Sequence, residues 1–134
     1  MQNDNHLLLA IGANEVWQID IFILCQGHET ADIKIGFSYP VGCGIHWGLI
    51  AAGADLNTRT WGLSDFGSTD YLHPENDEIS LAISLANITG YRFSLIVING
   101  GNAGNLNLQW AQKTKTVADT TVLENSCLIG NQLA

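Results

Sequence analysis

Short segments in which apolar and polar residues alternate recur along this chain, and they restrict its fold more than any other feature. A period of two is typical of a β-strand, because successive side chains of a strand point to opposite faces. The pattern is present in residues 15–24, 33–39, 45–49, 80–86 and 91–98, and no segment has the apolar spacing of an amphipathic helix. In residues 91–98 both sides of the alternation are largely apolar, which predicts a buried strand.

Several short strands separated by turn-forming residues are typical of an all-β sandwich or barrel. We therefore predict a single antiparallel β-sandwich of about eight short strands, a number that favours a jelly-roll-like arrangement. The chain also lacks the Cys…Trp…Cys spacing of immunoglobulin domains. Its 134 residues fit one domain, 1–134, whose terminal segments 1–6 and 130–134 are candidates for extended arms.

A turn-rich segment, residues 99–104, follows the strand predicted at residues 91–98. It contains three glycines and two asparagines, which tolerate the positive φ values of tight reversals. Beyond it, Leu106, Leu108 and Trp110 alternate with polar residues or alanine. Together these residues predict a β-hairpin with one strongly apolar face.

The chain has few charged residues, and most of them are acidic. Lys and Arg number 5 against 13 Asp and Glu, a net charge of −8, which argues against a nucleic-acid partner because such a partner needs a basic patch. No apolar run approaches the roughly 18 residues of a membrane-spanning helix, and no basic leader opens the chain, so we expect no membrane partner. Charged residues make up only 13% of the chain, which suits a surface partly buried against other chains, since interface cores penalise charge.

Residues with the spacing of a catalytic or metal site are not apparent in the sequence. The four histidines lack metal-ligand spacing, and the three cysteines include no C-x-x-C pair, so we expect reduced, mostly buried thiols. Asp20 lies within an apolar strand, where we expect an outward-facing or paired acid rather than a catalytic one. We predict that the protein is not an enzyme, has no catalytic residue and needs no cofactor or metal.

The least regular part of the chain, residues 51–76, carries three aromatic residues that no core periodicity explains: Trp61, Phe66 and Tyr71. One interpretation is that they cover an end of the sandwich. The other is that they contact a partner subunit, because aromatic residues are enriched at interface hot spots. The sequence leaves both open, and we take the three as candidate interface residues.

Much of the chain resembles a family of small tailed-phage virion proteins. The C-terminal pattern of that family reads approximately NGGTAGTLxLQWAQNTS followed by TTVLxGSYL, and residues 100–114 and 120–128 are similar to it. The matching positions are Gly100, Gly101, Ala103, Gly104, Leu106, Leu108, Gln109, Trp110, Ala111, Gln112, Thr114, Thr120, Thr121, Val122, Leu123, Ser126 and Leu128. Further matches are Ala13, Glu15, Trp17, Leu24, Asp32, Ile33, Lys34, Ile35, Phe37, Pro40 and Gly42. Residues 50–77 have no counterpart.

The resemblance implies a capsid decoration (cement) protein, made in the host bacterial cytoplasm and located on the outer capsid surface of the virion. Its expected partners are copies of itself in a homotrimer and the major capsid protein, which it would stabilise by bridging capsomers. The alternative is a tail-fibre or baseplate module that binds a host glycan, for which exposed Trp and Tyr residues would be typical.

Overall fold

The computed structural model describes residues 1–51, 62–65 and 79–134, and these residues form ten strands and no helix. The strands are β1 (Gln2–Ile11), β2 (Val16–Gly27), β3 (Ile33–Ser38), β4 (Gly44–Ala51), β5 (Gly62–Asp65), β6 (Ile79–Leu81), β7 (Thr89–Ile98), β8 (Gly104–Gln112), β9 (Thr120–Val122) and β10 (Cys127–Gln132).

The strands form two antiparallel sheets. The smaller sheet has the order β1-β8-β3-β6, and the larger has the order β10-β2-β7-β4-β5, with β9 also paired to β2. The pairs β1·β8, β2·β7, β3·β6 and β4·β5 are nested, as in one long hairpin folded over on itself. Eight strands in this arrangement are a jelly roll. The predicted fold class, an all-β jelly-roll-like sandwich, is confirmed, and β9 and β10 add to the expected number of strands.

The core lies between the two sheets and is built from the inward positions of each strand. Fully buried side chains include Ile19, Ile21, Ile23, Ile33, Ile35, Phe93, Leu95, Val97, Leu106 and Leu108. Phe93 packs edge-to-face on Phe37 of the opposite sheet, with ring centroids 5.9 Å apart. Such aromatic pairs add to the burial of apolar area that holds the two sheets together.

The prediction of a β-hairpin around residues 99–104 is wrong. β7 pairs with β2 and β4, whereas β8 pairs with β1 and β3, so the segment carries the chain from one sheet to the other. Its backbone bonds to the β1–β2 turn: the NH of Asn99 donates to the carbonyl of Glu15 (2.8 Å), and the NH of Asn14 donates to that of Gly100 (2.7 Å). A Cβ on Gly100 would lie 2.8 Å from the carbonyl oxygen of Gly42, so glycine serves close packing of loops here.

Both ends of the chain belong to the sandwich. Residues 2–6 are the whole first half of β1, which begins at Gln2. Residues 130–134 complete β10 and continue along β2, where the NH of Leu133 donates to the carbonyl of Val16 and the NH of Val16 donates to that of Ala134, both at 2.7 Å. That either end extends as an arm onto a partner chain stays a prediction.

Candidate functional site

The outer surface of the larger sheet carries a concentration of exposed apolar side chains. Phe22 of β2, Ile96 and Ile98 of β7, Ile129 of β10 and Leu133 just beyond it are all exposed. We call the surface formed by these five side chains the apolar face. Among the strand residues whose exposure the structure describes, the other large exposed hydrophobic residue is Leu8 of β1. Exposed apolar side chains concentrated on one face of a sheet are typical of interaction sites.

The register of the strands brings the five side chains together. β2 lies between β10 and β7, so Phe22 is opposite both Cys127 and Arg92, and Ile129 is opposite Asp20. Leu133 and Ile98 flank Val16 at the other end of the same strand. Gly48 of the neighbouring strand β4 has no atoms within 4 Å of where a Cβ would be, so no side chain covers the sheet at that position.

One ion pair lies within the apolar face. The guanidinium of Arg92 is 3.2 Å from a carboxylate oxygen of Asp20, and the hydroxyl of Ser94 donates to the same oxygen at 2.5 Å. The hydrogen bond from Ser94, helped by Arg92 and opposed by partial burial, lowers the pKa of Asp20. The prediction that Asp20 is an outward-facing, paired acid is confirmed. The two charges cancel, so the face carries no net charge from this pair.

The outer face of the smaller sheet is different in chemistry. Asn3, Ser38, Asn107 and Gln109 form a chain of side-chain hydrogen bonds across β1, β3 and β8, at 2.9 to 3.1 Å. These amides and hydroxyls bond to each other, and Leu8 is the large apolar residue exposed beside them. One outer face of the sandwich is therefore polar and internally bonded, and the other carries five exposed apolar side chains around an ion pair.

A groove of about 470 Å³ separates β1 from the β9–β10 turn and is lined by Asp4, His6, Leu7 and residues 122–126. The carboxylate of Asp4 accepts from the backbone NH groups of His6 (2.8 Å) and Leu7 (2.9 Å) and from the indole of Trp110 (3.1 Å). Burial alone would raise the pKa of Asp4, but these hydrogen bonds and the nearby His6 outweigh it and lower that pKa. Asp4 thus stabilises an irregular stretch of β1, and its oxygens are already engaged.

The loops at one end of the sandwich are held together by Asn99. This side chain is 5% exposed, and its Nδ2 donates to the carbonyls of Gly12 (2.7 Å) and Asn102 (2.8 Å). Nearby, a carboxylate oxygen of Glu15 accepts from the NH of Gly12 (2.6 Å) and the indole of Trp17 (2.9 Å). These buried or half-buried bonds fix the two turns of the sandwich that meet there.

The three cysteines are free, as predicted. Cys25 and Cys43 are buried, and burial raises the pKa of each thiol to about 11, so both are unreactive at neutral pH. Cys127 is exposed beside Phe22 at the rim of the apolar face. Nowhere in residues 1–51, 62–65 and 79–134 do three or more His, Cys, Asp or Glu residues form a group that could hold a metal ion.

The predicted interface residues Trp61, Phe66 and Tyr71 lie outside the described residues. Phe22, Ile96 and Ile129 were not predicted as contact residues. A partial signal was present for the first two, since apolar residues also occur, among polar ones, on the second side of the alternation in the segments that form β2 and β7. That pattern predicted a buried strand at residues 91–98, but in the single chain only the inner side of β7 is buried.

Comparison with known proteins found no relative: no protein family, curated protein or solved structure matches this chain. The class defined by its architecture is an antiparallel jelly-roll sandwich with two additional C-terminal strands. Within the described part of the chain, no helix has the length and hydropathy needed to cross a membrane.

Proposed function

We propose that this protein is a non-enzymatic structural component of a tailed-phage virion, most specifically a capsid decoration protein. It would form a homotrimer on the outer surface of the head and contact the major capsid protein. The observation that carries the proposal is the apolar face, which lies on a strongly acidic chain yet contains a balanced ion pair. The sequence resemblance at residues 100–114 and 120–128 supports the choice of a virion protein.

The physical role of such a subunit is to add buried area between capsomers that internal DNA pressure pushes apart. Burial of apolar surface contributes about 25 cal/mol per Å², so a contact of about 800 Å² per partner supplies several kcal/mol after the losses of association. Low charge favours this role, because charged side chains would have to be desolvated at each contact. The acidic remainder of the surface suits the outside of the shell, away from packaged DNA.

A glycan-binding tail-fibre or baseplate module is the alternative, and it calls for exposed aromatic rings that can stack on sugars. The tryptophans among the described residues are only partly exposed, and the indoles of Trp17 and Trp110 donate to Glu15 and Asp4. These contacts hold the rings in the sandwich and give the alternative less support. Binding to a glycan array by the isolated protein would favour it nonetheless.

Immunogold labelling of intact virions with an antibody to this chain tests the proposal. Gold distributed regularly over the head is the expected result. Gold confined to the tail tip would overturn the decoration assignment in favour of the fibre alternative, and virions without gold on any surface would contradict both. Chemical crosslinking of the labelled virions should then join this chain to the major capsid protein.

A further inference from the structure

We infer that the apolar face is the surface through which copies of this chain contact one another. The inference deepens the proposed function, because it names the contact of the proposed homotrimer, but it can be tested on the isolated protein. Its starting point is the conflict between sequence pattern and exposure in β7. The inner side of β7 is apolar and buried, and its outer side carries the exposed Ile96 and Ile98 beside Arg92 and Ser94. Apolar residues on both sides of a strand are typical of a sheet covered on both faces, and this sheet is covered on one.

The distribution of charge favours another copy as the cover. Most of the acids in the described residues lie in loops between strands: Glu15, Glu29, Asp32, Asp119 and Glu124. Copies that met through these loops would bring like charges together. On the apolar face, Asp20 and Arg92 balance each other, so this pair adds no net charge where a second copy would approach.

The area of the face is adequate for a specific but reversible contact. The outer surface of the sheet around the apolar face spans the four strands β10, β2, β7 and β4, about 4.8 Å apart, and seven residues of about 3.3 Å each, which gives about 19 Å by 23 Å, or about 440 Å² in projection. Side chains make the accessible area larger than the projection, so two copies bury at least the roughly 1,000 Å² expected of a specific interface. We therefore expect self-association that depends on protein concentration, in the micromolar range.

Sedimentation velocity of the wild-type protein and three variants tests this inference. Ile96→Lys places a charge on the central strand of the apolar face, and Ile129→Lys places one on the edge strand β10, where the demands of folding are smaller. Leu8→Lys is the matched control, since Leu8 is 38% exposed on the other sheet and Ile96 is 37% exposed. Circular dichroism verifies that each variant is folded.

The wild-type protein should associate as its concentration rises from about 1 to about 200 μM. Ile96→Lys and Ile129→Lys should each raise the dissociation constant at least about tenfold, whereas Leu8→Lys should change it less than about twofold. The thiol of Cys127 should also react more slowly at the higher concentrations in the wild type. A wild-type protein that stays monomeric overturns the inference, as does a Leu8→Lys effect equal to that of Ile96→Lys. A dimer in place of a trimer supports the face but contradicts the proposed homotrimer, and virion labelling decides the location independently.

Discussion

Replacing Asn99 by Asp should destabilise the protein in a manner that depends on pH. The wild-type side chain is 5% exposed, and its Nδ2 donates to two carbonyl oxygens at 2.7 and 2.8 Å. Asp has nearly the same shape, but its ionised form presents an oxygen to both carbonyls and has no hydrogen to donate. Repulsion and burial both disfavour the charge, so the pKa of Asp at this position is raised in the folded state.

The magnitude follows from that raised pKa. If it rises by about 3 units from its unfolded value near 3.9, ionisation removes about 4 kcal/mol of stability at neutral pH, since one unit equals about 1.4 kcal/mol. The neutral acid still donates one hydrogen bond, so the lost second bond adds about 1 kcal/mol. Asn99→Ala, which removes both donors without adding charge, should lose about 2–3 kcal/mol at every pH.

The sign of the pH dependence distinguishes this reasoning from simple loss of packing. The folded pKa lies above the unfolded pKa, so the penalty is complete above the folded value and shrinks as the pH falls toward the unfolded value. At about pH 5 the loss for Asn99→Asp should therefore be roughly 2–3 kcal/mol, about half of that at pH 7.

Urea unfolding at these two pH values measures the effect, with Asn105→Asp as the charge-matched control. Asn105 is exposed on β8, so the same change of charge there should alter the free energy of unfolding by no more than about 0.5 kcal/mol. The reasoning is refuted if the two Asp variants agree within about 1 kcal/mol at pH 7, or if the penalty for Asn99→Asp is independent of pH.

Three further predictions concern single contacts. Gly100→Ala should destabilise by about 1–3 kcal/mol in urea unfolding, whereas Gly101→Ala, where a Cβ meets no atom within 4 Å, should be nearly neutral; equal effects would contradict the close approach of the loops. Ser94→Ala should raise the pKa of Asp20 in a carboxyl NMR titration, and an unchanged pKa would show that Ser94 is not the cause of the lowered value. The stability that Asp20 contributes is present above its ordinary pKa of 3.8 and is lost as the pH falls through the lower folded value. Of the three thiols, Cys127 alone should react with a thiol reagent in the dilute native protein, and all three should react in urea; two fast native thiols would contradict the assigned burial.

The alternation in the sequence was sufficient to predict the fold class and the inward faces of most strands. In residues 15–24 the alternation places Trp17, Ile19, Ile21 and Ile23 on one face, and in β2 all four point toward the core. This works because burial follows a period of two whatever the order of the strands. The first half of β1 carries no such pattern, since its residues are polar, and it forms because β8 and Asp4 supply the partners for its backbone.

The failed hairpin shows what local sequence cannot specify. Glycine and asparagine are common both in tight hairpins and in loops that cross between sheets, because both need small residues and side-chain amides that bond to the backbone. The choice between them depended on partners distant in sequence: the carbonyls of Glu15 and Gly12 that bond to Asn99, and Gly42, against which Gly100 packs. A single sequence contains no direct record of such pairings.

The two C-terminal strands link the sequence resemblance to the apolar face. The eight strands of the jelly roll are complete without β9 and β10, which pair with the free edge of β2. On its inner side β10 is pressed against the sandwich, since a Cβ on Gly130 would lie 2.7 Å from the side chain of Leu9 and 3.2 Å from that of Trp17. On its outer side it adds Ile129, and Leu133 follows at its end. The addition of β10 therefore widens the exposed apolar surface of the sheet. An edge strand without charged residues can also pair with another strand or be covered by another chain. Both features disfavour a lone chain in water and favour one that associates.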